Sequence, residues 1–417
     1  MPERNERADG APGGHPPGGT AARENTRPYD VVLFGATGFT GRLTAHYLAR
    51  QAPPGLRWAL AGRDARKLAA LRSELAATHP ALADLPLLEA DVTDGAALRQ
   101  LAASARVVAT TVGPYIRYGH ALVAACADTG TDYLDISGEP EFVDLTYLRC
   151  HERARRTGAR LVHSCGFDSI PYDLGVRLTV ERLPEGVPLR VDGFVRSNAG
   201  LSGGTFSSAL LAFARGRRMA RTARERRRAD PRPPGRTVRT PVDRIRRGAD
   251  QGDWAVPLPT IDPRVVGRSA AALERYGPDF RYRHYAAVRH LPTVVGGVAG
   301  LGTLALLAQH PSTRRLLMSR LAPGEGPDAA RRARSWFSAR FVGTGGGRRV
   351  VTEVSGGDPG YDETAKFLAE SALCLALDGG LPETSGQVTT AAAMGEALTA
   401  RLVRAGVRFD VREEGPA

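Results

Sequence analysis

Residues 31–43 read VVLFGATGFTGRL, four apolar residues running straight into three glycines, Gly35, Gly38 and Gly41, at intervals of three. Few arrangements tolerate glycines where a buried strand ends. A turn without Cβ atoms, followed at once by a helix, gathers backbone N–H groups and the positive end of a helix dipole at one point. That point suits a diphosphate. Gly35 then permits the sharp turn, Gly38 the close approach of phosphate oxygens, and Gly41 the tight packing of the helix on the sheet. Thr37, Phe39 and Thr40 line the same turn. The spacing alone is a weak signal, and its context strengthens it: a strand precedes, a helix follows, and a second strand comes at 57–62.

Short β-branched runs alternate with helical patterns from 29 to about 185. Strands are expected at 30–35, 57–62, 86–92, 106–112, 132–137 and 160–165, with helices at about 41–52, 64–79, 94–103, 118–129 and 142–157. Continuous apolar strands separated by helices imply an α/β fold, a Rossmann-type doubly wound parallel sheet covered on both faces. From about 186 the alternation stops. Runs at 190–198, 281–289, 336–344 and 348–356 read as antiparallel strands of an inserted α+β domain, over 186–357. Residues 358–417 read as helices and a strand packing back on the first domain, and residues 1–28 as a disordered tail without a signal peptide.

The second strand points to the cofactor. A site for NAD usually carries an acid about 20 residues past the fingerprint, on the ribose 2′-hydroxyl. Here the strand tip is Gly62 and Arg63, with Arg66 and Lys67 one turn on. A small residue beside cations suits a 2′-phosphate, so NADP is favoured over NAD, although Asp64 partly offsets those charges. Ligands in such sheets sit beyond the carboxyl ends of the strands. Asp91 is then placed near the adenine side, and Val112 and Gly113 near the nicotinamide ribose. Tyr115, Asp168 and Tyr172 are candidate proton donors, with His120 behind them. An aspartic acid in that role needs burial to raise its pKa. The Tyr-x-x-x-Lys pair of short-chain dehydrogenases is absent, since Arg63 and Asp362 stand four residues before the two lysines, Lys67 and Lys366.

Composition excludes several other classes. The net charge of +13 is concentrated in residues 215–247, where 14 arginines face Glu225, Asp230 and Asp243. This Arg-rich segment reads as a solvated loop. Neither aromatic interleaving nor a reader motif accompanies it, which argues against nucleic acid. The four cysteines form no C-x-x-C pair and show no metal-ligand spacing, which fits a reducing compartment without a structural zinc. Residues 291–309 hold no charge over 19 positions, long enough to span a membrane. Pro292 and four glycines leave a lipid- or substrate-facing helix pair, or a core or dimer helix, equally open. The expected location is cytoplasmic, with membrane association open.

Together GATGFTG, AGRDARKL, VGPYIRYG, YLDISGE and GFDSIPYDLG resemble the saccharopine dehydrogenase-like oxidoreductases, and the bacterial trans-acting enoyl reductases in particular. The stretches GGDPGYDETAKFLAESALCLA and AAAMGEALTARLVRAGVRF are similar to the same branch. The resemblance runs over about 30–180 and 350–410 and is weak over 215–345. It implies an NADP-binding domain, an inserted domain that shapes the substrate site and often a homodimer, and reduction of carbon–carbon double bonds in a small-molecule or carrier-bound lipid or polyketide acyl chain. Relatives in lysine metabolism form or cleave a secondary amine instead. That activity, and a non-catalytic NADP-binding protein associated with a membrane, are the alternatives.

Overall fold

The apolar runs of the first half form a seven-stranded parallel sheet in the computed structural model, which describes residues 27–199, 210, 214–231, 233–247, 252–310, 312–313 and 326–417. Its elements follow one another as β1 (Tyr29–Phe34), α1 (Phe39–Gln51), β2 (Trp58–Gly62), α2 (Ala65–Thr78), β3 (Leu87–Glu89), α3 (Gly95–Ser104), β4 (Ala105–Thr110), α4 (Tyr115–Tyr118), α5 (His120–Thr129), β5 (Asp132–Asp135), α6 (Pro140–Thr157), β6 (Arg160–Val162) and α7 (Ile170–Glu181). The second half adds β7 (Leu189–Ser197), α8 (Gly216–Ala229), β8 (Thr237–Arg239), β9 (Arg246–Arg247), β10 (Trp254–Pro257), α9 (Asp262–Ala272), β11 (Asp279–Val288), α10 (Leu291–Gln309), α11 (Ala329–Ala333), β12 (Phe337–Gly345), β13 (Arg348–Gly356), α12 (Asp362–Leu377), β14 (Gly386–Val388), α13 (Thr390–Ala393), α14 (Gly395–Arg404) and β15 (Arg408–Pro416).

The parallel sheet runs β14-β6-β5-β4-β1-β2-β3. Its strands are apolar on consecutive residues because both faces are covered. Val31 and Leu33 meet Leu368 and Leu373 of α12 in one core, while Val32 and Phe34 meet Leu98 and Leu122 in the other. The strand order reverses between β1 and β4, which pair with Val31 opposite Val107. A crevice therefore opens beyond the carboxyl ends of these two strands.

The second sheet runs β15-β13-β12-β7-β11-β10-β9, with β8 beside β11. It differs from the sequence expectation in three ways. First, β7 and β11 are parallel, Val191 opposite Tyr282. The chain between them includes α8 and α9 and is long enough for the crossover that parallel pairing needs. Second, β15 joins this sheet, pairing antiparallel with β13 (Val354 opposite Phe409), whereas α12 and β14 do lie against the parallel sheet. The exposed edge of β13 is thereby covered. Third, the Arg-rich segment is not simply a loop. Residues 216–229 form α8, packed on α6, with Arg226 only 5% exposed. Its guanidinium lies 3.7 Å from the centre of the Tyr147 ring and donates to Gln387 Oε1 at 2.6 Å. Stacking and hydrogen bonds bury a side chain that composition alone marks as solvated.

Most of the expected tail lies outside the described residues. Arg27, at its end, is fixed by donating to Thr131 Oγ1 at 2.6 Å and to the carbonyl of Ala105. The uncharged stretch forms one continuous helix, α10, not a pair. Val294 and Ala308 are buried, but Val295 and Leu306 stand out in solvent, so it is not a core helix either.

Candidate active site

Two of the three fingerprint glycines close the chain on itself, and the third leaves a hollow. Gly35 has φ +85°, and a Cβ there would meet Val112 Cγ2 at 2.6 Å. A Cβ on Gly41 would lie 2.2 Å from the carbonyl oxygen of Gly35, so α1 could not sit where it does. Gly38 is different: a Cβ would meet only the Gly35 oxygen, at 3.5 Å, and the space in front is open. Gly38 is also the N-cap of α1 and supplies no side-chain cap, which leaves the first-turn N–H groups facing that space. A diphosphate fits this donor set. Thr37 Oγ1 lies 4.0 Å from where a Cβ on Gly62 would be, at the tip of β2. The Thr40 carbonyl accepts from Thr44. Phe39 packs edge-on against Tyr361 at 4.9 Å under Arg332, so its ring belongs to the contact with the C-terminal helices and only its backbone serves the turn.

At the tip of β2 the side-chain space of Gly62 is also clear, its nearest neighbour being Leu68 at 3.7 Å. Arg63 is exposed and makes no hydrogen bond or ion pair among the described residues. Asp64, the acid nearest in sequence, caps α2 by accepting from the Lys67 N–H at 3.1 Å and stands 4.0 Å from Lys67 Nζ. Asp91 is held by Thr93, from both its N–H (2.8 Å) and its hydroxyl (2.6 Å). Those bonds, aided by the charge of Arg63, keep its carboxyl below the usual range. A free guanidinium next to an open glycine is the donor set that a 2′-phosphate requires.

Beyond β4, β5 and β6 the polar residues divide sharply. Val112 and the exposed Gly113 edge the crevice, and a cis bond joins Gly113 to Pro114. Glu139 accepts from the N–H groups of Tyr115 and Ile116, at 2.9 Å each, and so caps the short helix α4. Asp135 accepts from Tyr133, Ser137, Ser164 and His163. Tyr115, expected to face the substrate, is turned inward at 5% exposure. Its hydroxyl donates to the Thr110 carbonyl at 3.1 Å and accepts from the Ile136 N–H at 3.4 Å, tying two strand ends together. His120 packs on Phe142, and burial lowers its pKa to about 4, leaving a neutral ring.

Asp168 is the exception. Its carboxyl follows β6, and among the described residues no donor reaches it. Burial raises its pKa to about 6. Tyr172, four residues on in the first turn of α7, is buried against Phe167 and His284. The second sheet completes the cluster. His284 Nδ1 and the Tyr282 hydroxyl are 2.7 Å apart, and His284 Nε2 lies 3.7 Å from Asp262 Oδ2 at the start of α9. Thr260 donates to that same oxygen, while Asp262 Oδ1 is buried without a partner. Burial, then the charge of Asp168, pushes Asp262 well above the carboxylate range, and burial drops His284 to about 3. His284 therefore stays neutral. Asp262, Tyr282 and His284 were not foreseen from sequence. The available signal was the inward alternation Phe280, Tyr282, His284 along β11, which puts a histidine on the core face of a strand.

Comparison with known proteins now decides the family. Residues 31–162 match the model of the saccharopine dehydrogenase NADP-binding domain. A Mycobacterium tuberculosis protein provisionally assigned as a trans-acting enoyl reductase is 40% identical, over 91% of this chain and 97% of its own. A trans-acting enoyl reductase of Mycobacterium ulcerans is 37% identical with the same coverage. The chain belongs to the saccharopine dehydrogenase-like oxidoreductases, in the branch of the trans-acting enoyl reductases. Among solved structures, the apo saccharopine dehydrogenase (L-Glu forming) of Saccharomyces cerevisiae aligns with a TM-score of 0.54 at 13% identity, over 92% of this chain and 99% of that one, which is a likeness of fold. The protein is an NADP-dependent oxidoreductase. The NADP-binding match spans β1 to β6, and the Asp168–His284 cluster lies wholly outside it.

Proposed function

We propose that this oxidoreductase reduces the carbon–carbon double bond of an α,β-unsaturated lipid or polyketide acyl chain. The observation that carries the reading is Asp168: a carboxyl at the strand ends with no partner among the described residues and a pKa near 6, next to the half-buried Phe167. Phe167, half-buried, is held edge-on between the buried rings of Tyr172 (5.5 Å) and Phe337 (4.9 Å), and its free edge suits an acyl chain. Three arginines of this region are committed to acids of the chain itself: Arg215 to Glu141 by two bonds of 2.7 Å, Arg264 to Asp144, Arg332 to Asp362. They do not form the free carboxylate clamp that an amino-acid substrate needs. The names of the mycobacterial relatives agree with the reading.

Bound NADPH supplies a hydride. The α1 turn holds the diphosphate and Arg63 the 2′-phosphate, so the chain's own work is to place the acceptor and manage the proton. Hydride adds to the carbon β to the carbonyl, and the electron pair of the double bond moves to the α carbon. Asp168 donates its proton there and is reprotonated from water. Asp262, His284 and Tyr172 touch neither reactant; they keep the surroundings of Asp168 uncharged, and burial among them lifts its pKa to about 6, so that a protonated fraction remains near neutrality. The test is NADPH oxidation by purified protein on adding an α,β-unsaturated acyl thioester, with a product two mass units heavier. Turnover of lysine plus a keto acid, without turnover of any enoyl thioester, overturns the proposal.

A further inference from the structure

Helix α10 is the least accounted-for feature of the fold. It carries no charge from Leu291 to Gln309, yet its surface is bare. Val295 is 61% and Leu306 76% exposed, and Cβ atoms added at Gly296, Gly297, Gly300 and Gly302 would meet nothing within 4 Å. At 100° per residue, Leu291, Gly302, Val295, Leu306, Thr303, Gly296, Leu307 and Gly300 sweep about half the circumference. Among the described side chains only a narrow stripe, with Val294 and Ala308, meets protein.

We propose that α10 lies in the face of an anionic membrane, sunk to the level of the acyl chains and parallel to the surface. Charge favours this occupant. No aspartate or glutamate occurs between Phe280 and Gly324. Arg289 stands exposed at the base of the helix, without an acid partner among the described residues, next to His290. Trp254 pairs with Val288 at the same end, where an indole suits the headgroup boundary. Topology excludes a single crossing. The chain enters α10 from β11 and returns to β12, and both strands flank β7 in one sheet. A crossing would need a second one before Phe337, and residues 310–336 hold six arginines and no apolar run of that length. A helix that cannot cross and cannot remain in water must lie in the interface. A second copy of the chain would cover one side of the helix only, and the open glycines point to several sides.

The test is flotation of the full-length protein with vesicles of phosphatidylcholine alone and of phosphatidylcholine with about one quarter phosphatidylglycerol. The wild type is expected to float with the anionic vesicles, less with the neutral ones, and to be partly released by salt. The double variant Val295→Lys, Leu306→Lys is expected to bind about tenfold more weakly or not at all, since each lysine must enter hydrocarbon. Unchanged NADPH binding by fluorescence shows that this variant is folded. A wild type that stays soluble beside anionic vesicles, a variant that floats equally well, or indifference to lipid charge overturns the proposal. So does a wild-type dimer that the variant splits without any lipid binding, which would assign the face to a second copy. None of these outcomes depends on the enoyl substrate.

Discussion

The two sheets meet the same requirement, burial of apolar surface, by different means. The parallel sheet is covered on both faces, so its strands are apolar throughout, and its polar residues collect beyond the strand ends. The second sheet buries one face. Leu189, Val191 and Gly193 of β7 point in, while Asp192 points out and is gripped by Arg283 and Arg246. One sheet therefore concentrates its chemistry at a rim, and the other keeps charge on an outer face and sends Tyr282 and His284 inward to meet that rim. The proposed proton donor lies where the two meet. Asp168 follows β6 of the first sheet with Tyr172 beside it on α7, while Tyr282 and His284 come from the second sheet and Asp262 from the start of α9.

The sharpest way to separate the two contributions is Asp168→Asn. The amide keeps shape and polarity but has no proton to give. The turnover number should fall by about 10²–10⁴, with NADPH affinity unchanged by fluorescence titration. The wild-type rate should decline about tenfold per pH unit above about 6, as the carboxyl ionises, and the variant's residual rate should be flat there. A variant with wild-type turnover removes Asp168 from the mechanism.

A second experiment compares close packing in the two regions. Gly41→Ala drives a Cβ into the Gly35 carbonyl at 2.2 Å, a backbone atom that cannot swing aside. Gly175→Ala, where α7 meets the second sheet, drives one into the Phe341 ring at 2.3 Å, and a ring can shift. Overpacking should cost about 3 kcal/mol at Gly41 and abolish NADPH binding, against about 1–2 kcal/mol at Gly175 with binding kept. Urea unfolding and nucleotide titration on the same samples check both halves. Equal losses of affinity would mean that the turn is not the phosphate site.

Arg63→Ala asks a smaller question. Loss of a charged hydrogen bond should weaken NADPH binding by about 1.5–3 kcal/mol and leave NADH nearly untouched. Equal losses for the two nucleotides refute the 2′-phosphate role.

What could be read in the sequence follows the same division. The order of strands and helices from β1 to β6 was legible because local patterns determine it: apolar runs mark strands, Asp64 caps a helix, and Gly35 marks a turn, although β3 and β6 are shorter than the apolar runs at 86–92 and 160–165 and the sheet's seventh strand, β14, was not expected. The second half was not, because its decisive contacts are distant. Nothing near His284 in the chain announces Asp262, and nothing near Arg226 announces the Tyr147 ring or Gln387. β15 was misassigned because an edge strand's choice of partner depends on which sheet has an open edge, a property of the assembled fold. Tyr115 was over-read for a related reason. Position after a strand end predicts proximity to the crevice, but not which way the ring turns once Glu139 has fixed the backbone on either side of it.

The last test uses pH to show that the second sheet keeps the site uncharged. His284 sits near 3 in the folded protein and near 6.5 when unfolded. Below pH 6.5 the unfolded chain takes up a proton that the folded one refuses, so stability is present above 6.5 and is lost as the pH falls toward 3. Asp168 acts in the opposite direction. Its folded pKa, about 6, exceeds the ordinary 3.8, so it costs stability as the pH rises through that interval. The two nearly cancel in the wild type between about pH 4 and 6, and a simple acid titration would show little of either. The comparison with His284→Gln isolates one of them. The stability gap between wild type and His284→Gln should shrink by about 1 kcal/mol between pH 7 and 5.5, measured by urea unfolding at each pH. A constant gap would mean that the histidine titrates in the fold with its ordinary pKa, and a gap that widens as the pH falls that it is already charged there. In that case the Asp168 carboxyl would face a cation rather than a neutral ring, and it would lose its proton at a lower pH.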